Sequence, residues 1–236
     1  QRSVLTGPLR LQGHGSNADG PVRFRNVWVA PLDSFEEDAG PLIDLFDGQT
    51  LDGWAVCGGK SEFAVEDGVI VGTAVPNSGG NTFLMTQDTY GDFELTYEIN
   101  VPHGALNSGV QVRSHVDGGI DARDGRVRGY QIEADQKDRA YSGGVFDEGR
   151  RGWIAPLVDK PYARRAWRPN EWNEITVVAR GQMIETWANG SPAARMMDAL
   201  SDEGHIGLQV HAVGANDSRP QVKFRNIRLR SLRSSD

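Results

Sequence analysis

Short runs in which apolar and polar residues alternate, each closed by turn residues, constrain this chain more than any other feature of it. Phe63–Val65, Val69–Gly72, Phe83–Thr86, Phe93–Val101 and Gly109–His115 are the first of them. Tyr130–Asp135, Glu174–Arg180, Met183–Ala188, Ile206–His211 and Val222–Arg230 follow. A period of two puts successive side chains on opposite faces of an extended backbone, so each run reads as a strand with one face to bury. The 29 glycines among 236 residues suit tight turns between such strands. Asn189-Gly190 is a hairpin turn signal in its own right. Only Tyr162–Trp167 and Ala193–Leu200 have helical character, and both are short. The pattern predicts an all-β chain built as a two-sheet antiparallel β-sandwich of jelly-roll type. Pattern alone leaves a closed barrel as the alternative.

Charge and composition narrow the function. A net charge of −7 argues against a nucleic-acid partner, which calls for a basic face. No stretch is apolar for long enough to span a membrane. Cys57 is alone, which excludes an intrachain disulfide and a cysteine metal cage. Nothing at Gln1 resembles a signal peptide, which fits a cytosolic chain, a mature exported one or a fragment.

Two parts of the sequence are copies of each other. Residues 7–14, GPLRLQGH, match 204–211, GHIGLQVH, and residues 22–29, VRFRNVWV, match 222–229, VKFRNIRL. Gln12, His14, Arg25 and Asn26 recur as Gln209, His211, Arg225 and Asn226. Repetition of both apolar spacing and polar identity marks a shared structural unit. Each copy reads as a hairpin of two strands and a polar loop. A lone hairpin is marginal in water, so residues 1–33 must pack on something. They are either the last hairpin of an upstream domain of the same kind, which implies a longer tandem chain, or an extra hairpin for this domain or a partner. Residues 34–42 are acidic with Gly and Pro and read as a linker, leaving 43–236 as the main domain.

Three strands carry unusual polar faces. Gln111, Arg113 and His115 alternate with Val110 and Val112. Gln131, Glu133 and Asp135 alternate with Tyr130, Ile132 and Ala134, and Gln209 and His211 alternate with Ile206, Leu208 and Val210. Amides, carboxylates, Arg and His without a single Lys suit sugar hydroxyls, anions and proton transfer. If the three strands are neighbours, they form one polar wall. Glu133 and Asp135 stand about 6.5–7 Å apart along the strand, a spacing that does not choose between retaining and inverting glycoside hydrolysis. His115, His211 and Glu133 are types that can hold a divalent metal, although their spacing carries no metal signature. Downstream, Ser142-Gly143-Gly144 leads into Asp147, Glu148, Arg150, Arg151 and Trp153, the expected rim of the site. Arg113, Arg150 and Arg151 either pair with Asp147 and Glu148 or hold a substrate oxyanion. Trp153 and Trp167, beside charged loops, are either sugar platforms or packing residues.

A family resemblance rests on ten segments in order over residues 42–232. They are LFDGQTLDGWAV, VEDGVIVG, YGDFELTYEINVP, NSGVQVRSH, GYQIEADQ, SGGVFDEGRRGW, EWNEITVVARG, WANG, IGLQVHA and VKFRNIRL. Together they resemble the 3-keto-disaccharide hydrolase family, whose fold is a concanavalin A-like (lectin/glucanase) sandwich. The resemblance implies a bacterial, periplasmic or secreted protein that cleaves the glycosidic bond of 3-keto-glycosides. It implies C2 proton abstraction and β-elimination followed by hydration, and on the polar wall that chemistry assigns His211 or Glu133 as base, Arg113, alone or with a metal, at the enolate and Asp135 or His115 as acid. Gln111, His115, Gln131, Gln209, Asp147, Glu148, Arg150, Arg151, Trp153 and Trp167 are then the expected substrate contacts. No cofactor is certain, and a divalent metal stays open. The rival expectation is a non-catalytic carbohydrate-binding module.

Overall fold

The computed structural model describes residues 39–101, 107–135, 137–215 and 219–232. The expectations for residues 1–33 lie outside them. In chain order the strands are β1 (Ile43–Asp44), β2 (Trp54–Gly58), β3 (Glu62–Glu66), β4 (Val69–Thr73), β5 (Thr82–Thr86), β6 (Phe93–Asn100), β7 (Ser108–Val116) and β8 (Val127–Ala134). Then follow β9 (Val145–Glu148), β10 (Gly152–Ala155), the short helix α1 (Pro161–Ala166), β11 (Asn173–Arg180), β12 (Met183–Ala188), β13 (Ser191–Met197), β14 (His205–Val210) and β15 (Gln221–Ser231). One sheet runs β13-β12-β11-β6-β15-β4-β3, with β1 also on β15; the other runs β10-β9-β8-β7-β14-β5-β2. Every pairing is antiparallel, and the two sheets stay open, so the barrel alternative falls.

The core lies between the sheets and follows from the period of two. Phe93, Leu95, Tyr97 and Ile99 of β6 meet Val110 and Val112 of β7, Tyr130 and Ile132 of β8, and Leu208 and Val210 of β14. Each is at most 2% exposed. Burying such a side chain is worth about 1.5–3 kcal/mol. Trp54 is buried and donates its Nε1–H to Leu45 O at 3.0 Å.

Two strands break the alternation by one extra residue. In β15 the four residues from Arg225 to Arg228 lie opposite the three from Glu98 to Thr96, and Asn226 takes a φ of +51° there. The buried set accordingly steps from Val222 and Phe224 to Ile227 and Leu229. In β7, Val112 faces Tyr130 but His115 faces Arg128, and Arg113 sits at φ +47°. Such bulges re-aim side chains, and this one matters to the site.

Three sequence expectations change. Ala193–Leu200 is largely strand β13, because pairing with β12 overrides the helical preference of its Ala and Met residues. The second copy of the repeat is not a hairpin: β14 lies inside one sheet and β15 inside the other. Strand, polar loop, strand is the same pattern for a hairpin and for a crossing between sheets. Within the stretch 34–42, Ala39 bridges to Leu232 and Gly40 N donates to Ser231 O, so residues 39–40 already belong to the sheet edge.

Candidate functional site

β8, β7 and β14 are neighbours, so the polar faces predicted for them meet. Val110, Tyr130, Ile132 and Leu208 point into the core, which sends Gln111, Gln131, Glu133 and Gln209 to the opposite face of the same sheet. Their side chains form one chain of hydrogen bonds. Ser114 Oγ donates to Gln111 Oε1 (2.8 Å), and Gln111 Nε2 and Gln209 Nε2 both donate to Gln131 Oε1 (2.7 and 2.8 Å). Gln131 Nε2 donates in turn to Glu133 Oε2 (2.8 Å), while Asn107 Nδ2 donates to Glu133 Oε1. Each carboxyl oxygen of Glu133 thus receives an amide N–H.

Glu133 is 4% exposed. Burial pushes its pKa up to about 7; the Asn107 and Gln131 amides and the Arg139 charge pull it down, and Asp135 adds to the rise. The group therefore exchanges its proton near neutrality, where a general base is most effective. Gln209 Oε1, buried, has no partner among the described protein groups and is open to a hydroxyl donor.

Asp135, two residues on, is 1% exposed and ion-paired with Arg139, and it accepts a hydrogen bond from Lys137 N (3.1 Å). The Arg139 guanidinium lies 5.0 Å over the Trp153 ring and 5.7 Å from the Tyr141 ring. Trp153 is held edge-to-face by Tyr141 and Phe146 at 5.2 and 5.5 Å. A cation on an aromatic plane beside a near-neutral carboxyl can bind anionic oxygen and a sugar ring together.

Several expected residues lie elsewhere. After the β7 bulge Val116 turns to the glutamine face, so His115 is exposed on the other side. Arg113 is fully buried and locked onto Gly91 O (2.9 Å), Gly181 O (2.6 Å) and Asp92 Oδ1 (2.9 Å), which leaves it no part in the wall. Arg150 and Arg151 pair with fully buried Asp147 at 2.6 and 2.5 Å. Arg151 also reaches Asp198, which accepts from Tyr130 Oη. This cluster staples the sheet end, the ion-pair alternative of the sequence reading. Trp167 is 7% exposed within the core. Glu148 and His211 form a separate group: Glu148 accepts from Asn81 Nδ2 (3.4 Å), burial raises its pKa and the nearby His211 opposes the rise. His115, His211 and Glu133 are not gathered, and among the described residues no cluster of three or more His, Cys, Asp or Glu is placed to hold a metal ion.

Asn107 and Arg139 went unforeseen. Asn107 precedes β7 and Arg139 lies between β8 and β9, where no periodicity assigns a face. The one sequence cue for Arg139 was its place four residues after Asp135.

Residues 41–230 match the family described as the 3-keto-alpha-glucoside-1,2-lyase-like domain. The chain belongs to that family. A search of curated proteins finds no match to it. Among solved structures, a Parabacteroides distasonis protein named as a candidate glycosyl hydrolase is 19% identical with a TM-score of 0.58, over 87% of this chain and 99% of that one. Carbohydrate-binding module CBM66 from Bacillus subtilis is 18% identical with a TM-score of 0.54, over 74% of this chain and 93% of that one. A Bacillus subtilis protein of unknown function with a galectin-like fold is 12% identical with a TM-score of 0.56, over 78% and 92%. At these identities the likeness is one of fold, and it agrees with the open jelly-roll sandwich. No helix among the described residues is long and apolar enough to cross a membrane.

Proposed function

We propose that this domain cleaves the glycosidic bond of a 3-keto-glycoside, with Glu133 as the group that moves the C2 proton. The observation that carries the reading is a buried carboxyl poised at about pH 7 in a row of amides on the face opposite the core. A ketone at C3 acidifies the hydrogen on C2. The Glu133 carboxylate takes that proton, and the C–H electron pair forms the enolate. The enolate then collapses, forming the C1–C2 double bond as the C1–O bond breaks, and the departing oxygen picks up a proton. Addition of water across C1–C2 makes the net reaction a hydrolysis. The two amides favour the ionised form of Glu133 before the reaction, while burial favours the protonated form after it.

The enolate oxygen needs a cation, and with Arg113 committed to Gly91, Asp92 and Gly181, the suitable one is Arg139. Its Nε is used on Asp135, which leaves its four Nη hydrogens for the substrate. At 4% exposure Glu133 meets a substrate only after the groups around it move, so turnover includes an opening step. The proposal carries with it the periplasmic or secreted location that the family resemblance implies. Purified protein incubated with 3-keto-trehalose should release glucose, and Glu133→Gln should abolish the release. Sugar binding without any turnover would instead make the domain a carbohydrate-binding module.

A further inference from the structure

The face that carries Glu133 has a second hollow, which the chemistry above does not use. The loop between β7 and β8 folds over β5 and β2. Arg123 O accepts from Gly58 N (2.9 Å), and Arg123 Nη1 donates to Gly58 O (3.1 Å) and Gly59 O (2.6 Å). Beneath it Val116, Val127 and Ile120 pack on Cys57, Phe83 and Met85. Between this loop and the turn at 78–81 lies a cleft of about 620 Å³, a size that accepts a small ligand. Lys60, Asn81, Phe83, Asp124, Arg126 and Glu148 line it, together with glycine backbone. At Gly79 and Gly80, with φ of +81° and +152°, a Cβ would meet nothing within 4 Å, so the turn presents open backbone there.

The chemistry of this lining is specific. Two cations, Lys60 and Arg126, balance two carboxyl groups, Asp124 and Glu148. Donors and acceptors are both plentiful while the sum of charge is near zero, which favours a neutral polyhydroxylated ligand over an anion or a cation. The cleft is also in line with Glu133. Glu133 pairs with Gly109, Val110 pairs with Leu208, and Gln209 pairs with Phe83, so Glu133, Gly109, Gln209 and Phe83 follow one another across β8, β7, β14 and β5. Three strand spacings separate the first from the last, about 14 Å between backbones, and a ring bonded to the reacting sugar at Glu133 extends along this line toward the cleft. Gln209, with its unpartnered Oε1, stands between the two.

We infer that this cleft is a second sugar site, which holds the neutral, non-reacting ring of the substrate through Lys60, Arg126, Asp124 and Glu148. It rests on the reading above only in taking that ring to be the part that departs from the ketone-bearing sugar. The test compares two substrates, 3-keto-trehalose and methyl 3-keto-α-glucoside, on wild type and on Lys60→Ala/Arg126→Ala, both exposed positions whose loss leaves the core intact. The ratio of kcat/KM for the disaccharide to kcat/KM for the methyl glycoside should fall about tenfold in the variant, the loss of about one charged hydrogen bond. An unchanged ratio overturns the site. If wild type cleaves neither substrate, the catalytic reading fails, and NMR titration with unoxidised trehalose still decides the cleft. Binding to wild type that weakens in the variant supports it; equal affinity, or no binding to either protein, overturns it.

Discussion

Two charged clusters flank the same strand, β8, and they are built on opposite principles. Around Asp147 a fully buried carboxylate is given cations: Arg150 and Arg151 both pair with it, and Arg151 carries the network on to Asp198. Around Glu133 an equally buried carboxyl is given amides, with Arg139 committed first to Asp135. The first arrangement pairs each carboxylate with a guanidinium and holds the sheet end together. The second leaves a group whose two protonation states are close in energy. Arg151 and Tyr130 hold Asp198 down at about 2, whereas burial holds Glu133 up at about 7. A count of charged residues picks out the first cluster, but the chemistry favours the second.

The comparison breaks most readily at Glu133. Glu133→Gln keeps the size; its amide oxygen still accepts from Gln131 Nε2, and Asn107 turns its own amide to accept the new N–H, so the fold should hold while cleavage falls by about 10²–10⁴-fold, measured by glucose release. Asp147→Asn should do the reverse. It should cost about 3 kcal/mol in urea unfolding, the low end for a broken buried pair because the Arg151 side chain is 42% exposed, and leave cleavage near wild type.

The two ends should also respond to pH with opposite signs. The folded-state pKa of Glu133 is raised from 4.5 to about 7, so the folded protein holds that proton more tightly than the unfolded chain. Its contribution to stability is present below pH 4.5 and is lost as pH rises to about 7. Asp198 is lowered from 3.8 to about 2, so its contribution is present above pH 3.8 and is lost as pH falls to about 2. Urea midpoints across pH 2 to 8 for Glu133→Gln and Asp198→Asn should show each variant losing one of these slopes. The shift in the pH limb is the smallest effect. Arg139→Gln, beyond the drop in kcat/KM from losing the enolate cation, removes a charge that lowers the Glu133 pKa, so the acid limb of the remaining kcat/KM should move to higher pH.

Much of this was legible in the sequence, because a period of two assigns faces without any knowledge of partners. The all-β class, the core sets of β6 and β8, and the outward turn of Gln111, Gln131, Glu133 and Gln209 on their own strands follow from it; that the sheets stay open and that β8, β7 and β14 lie side by side came from the strand order. Arg113 and His115 were misplaced for a definite reason: Arg113 takes a left-handed conformation, and the residue it adds to β7 has no signature in GVQVRSHV. Asp147 and Glu148, adjacent in one strand, must face opposite ways, but that Asp147 is the one on the Tyr130 side is decided only by the β8–β9 register. Arg139 and Asn81 act from loops, where function depends on where the chain returns rather than on any local pattern.

The pH dependence of kcat/KM for 3-keto-trehalose, taken on wild type and Glu133→Gln together, tests the role of Glu133 most directly. Activity that rises with an apparent pKa near 7 in wild type and is lost in Glu133→Gln is the predicted result. A Glu133→Gln protein that cleaves the ketone-bearing sugar at the wild-type rate, with the same pH limb, would contradict it.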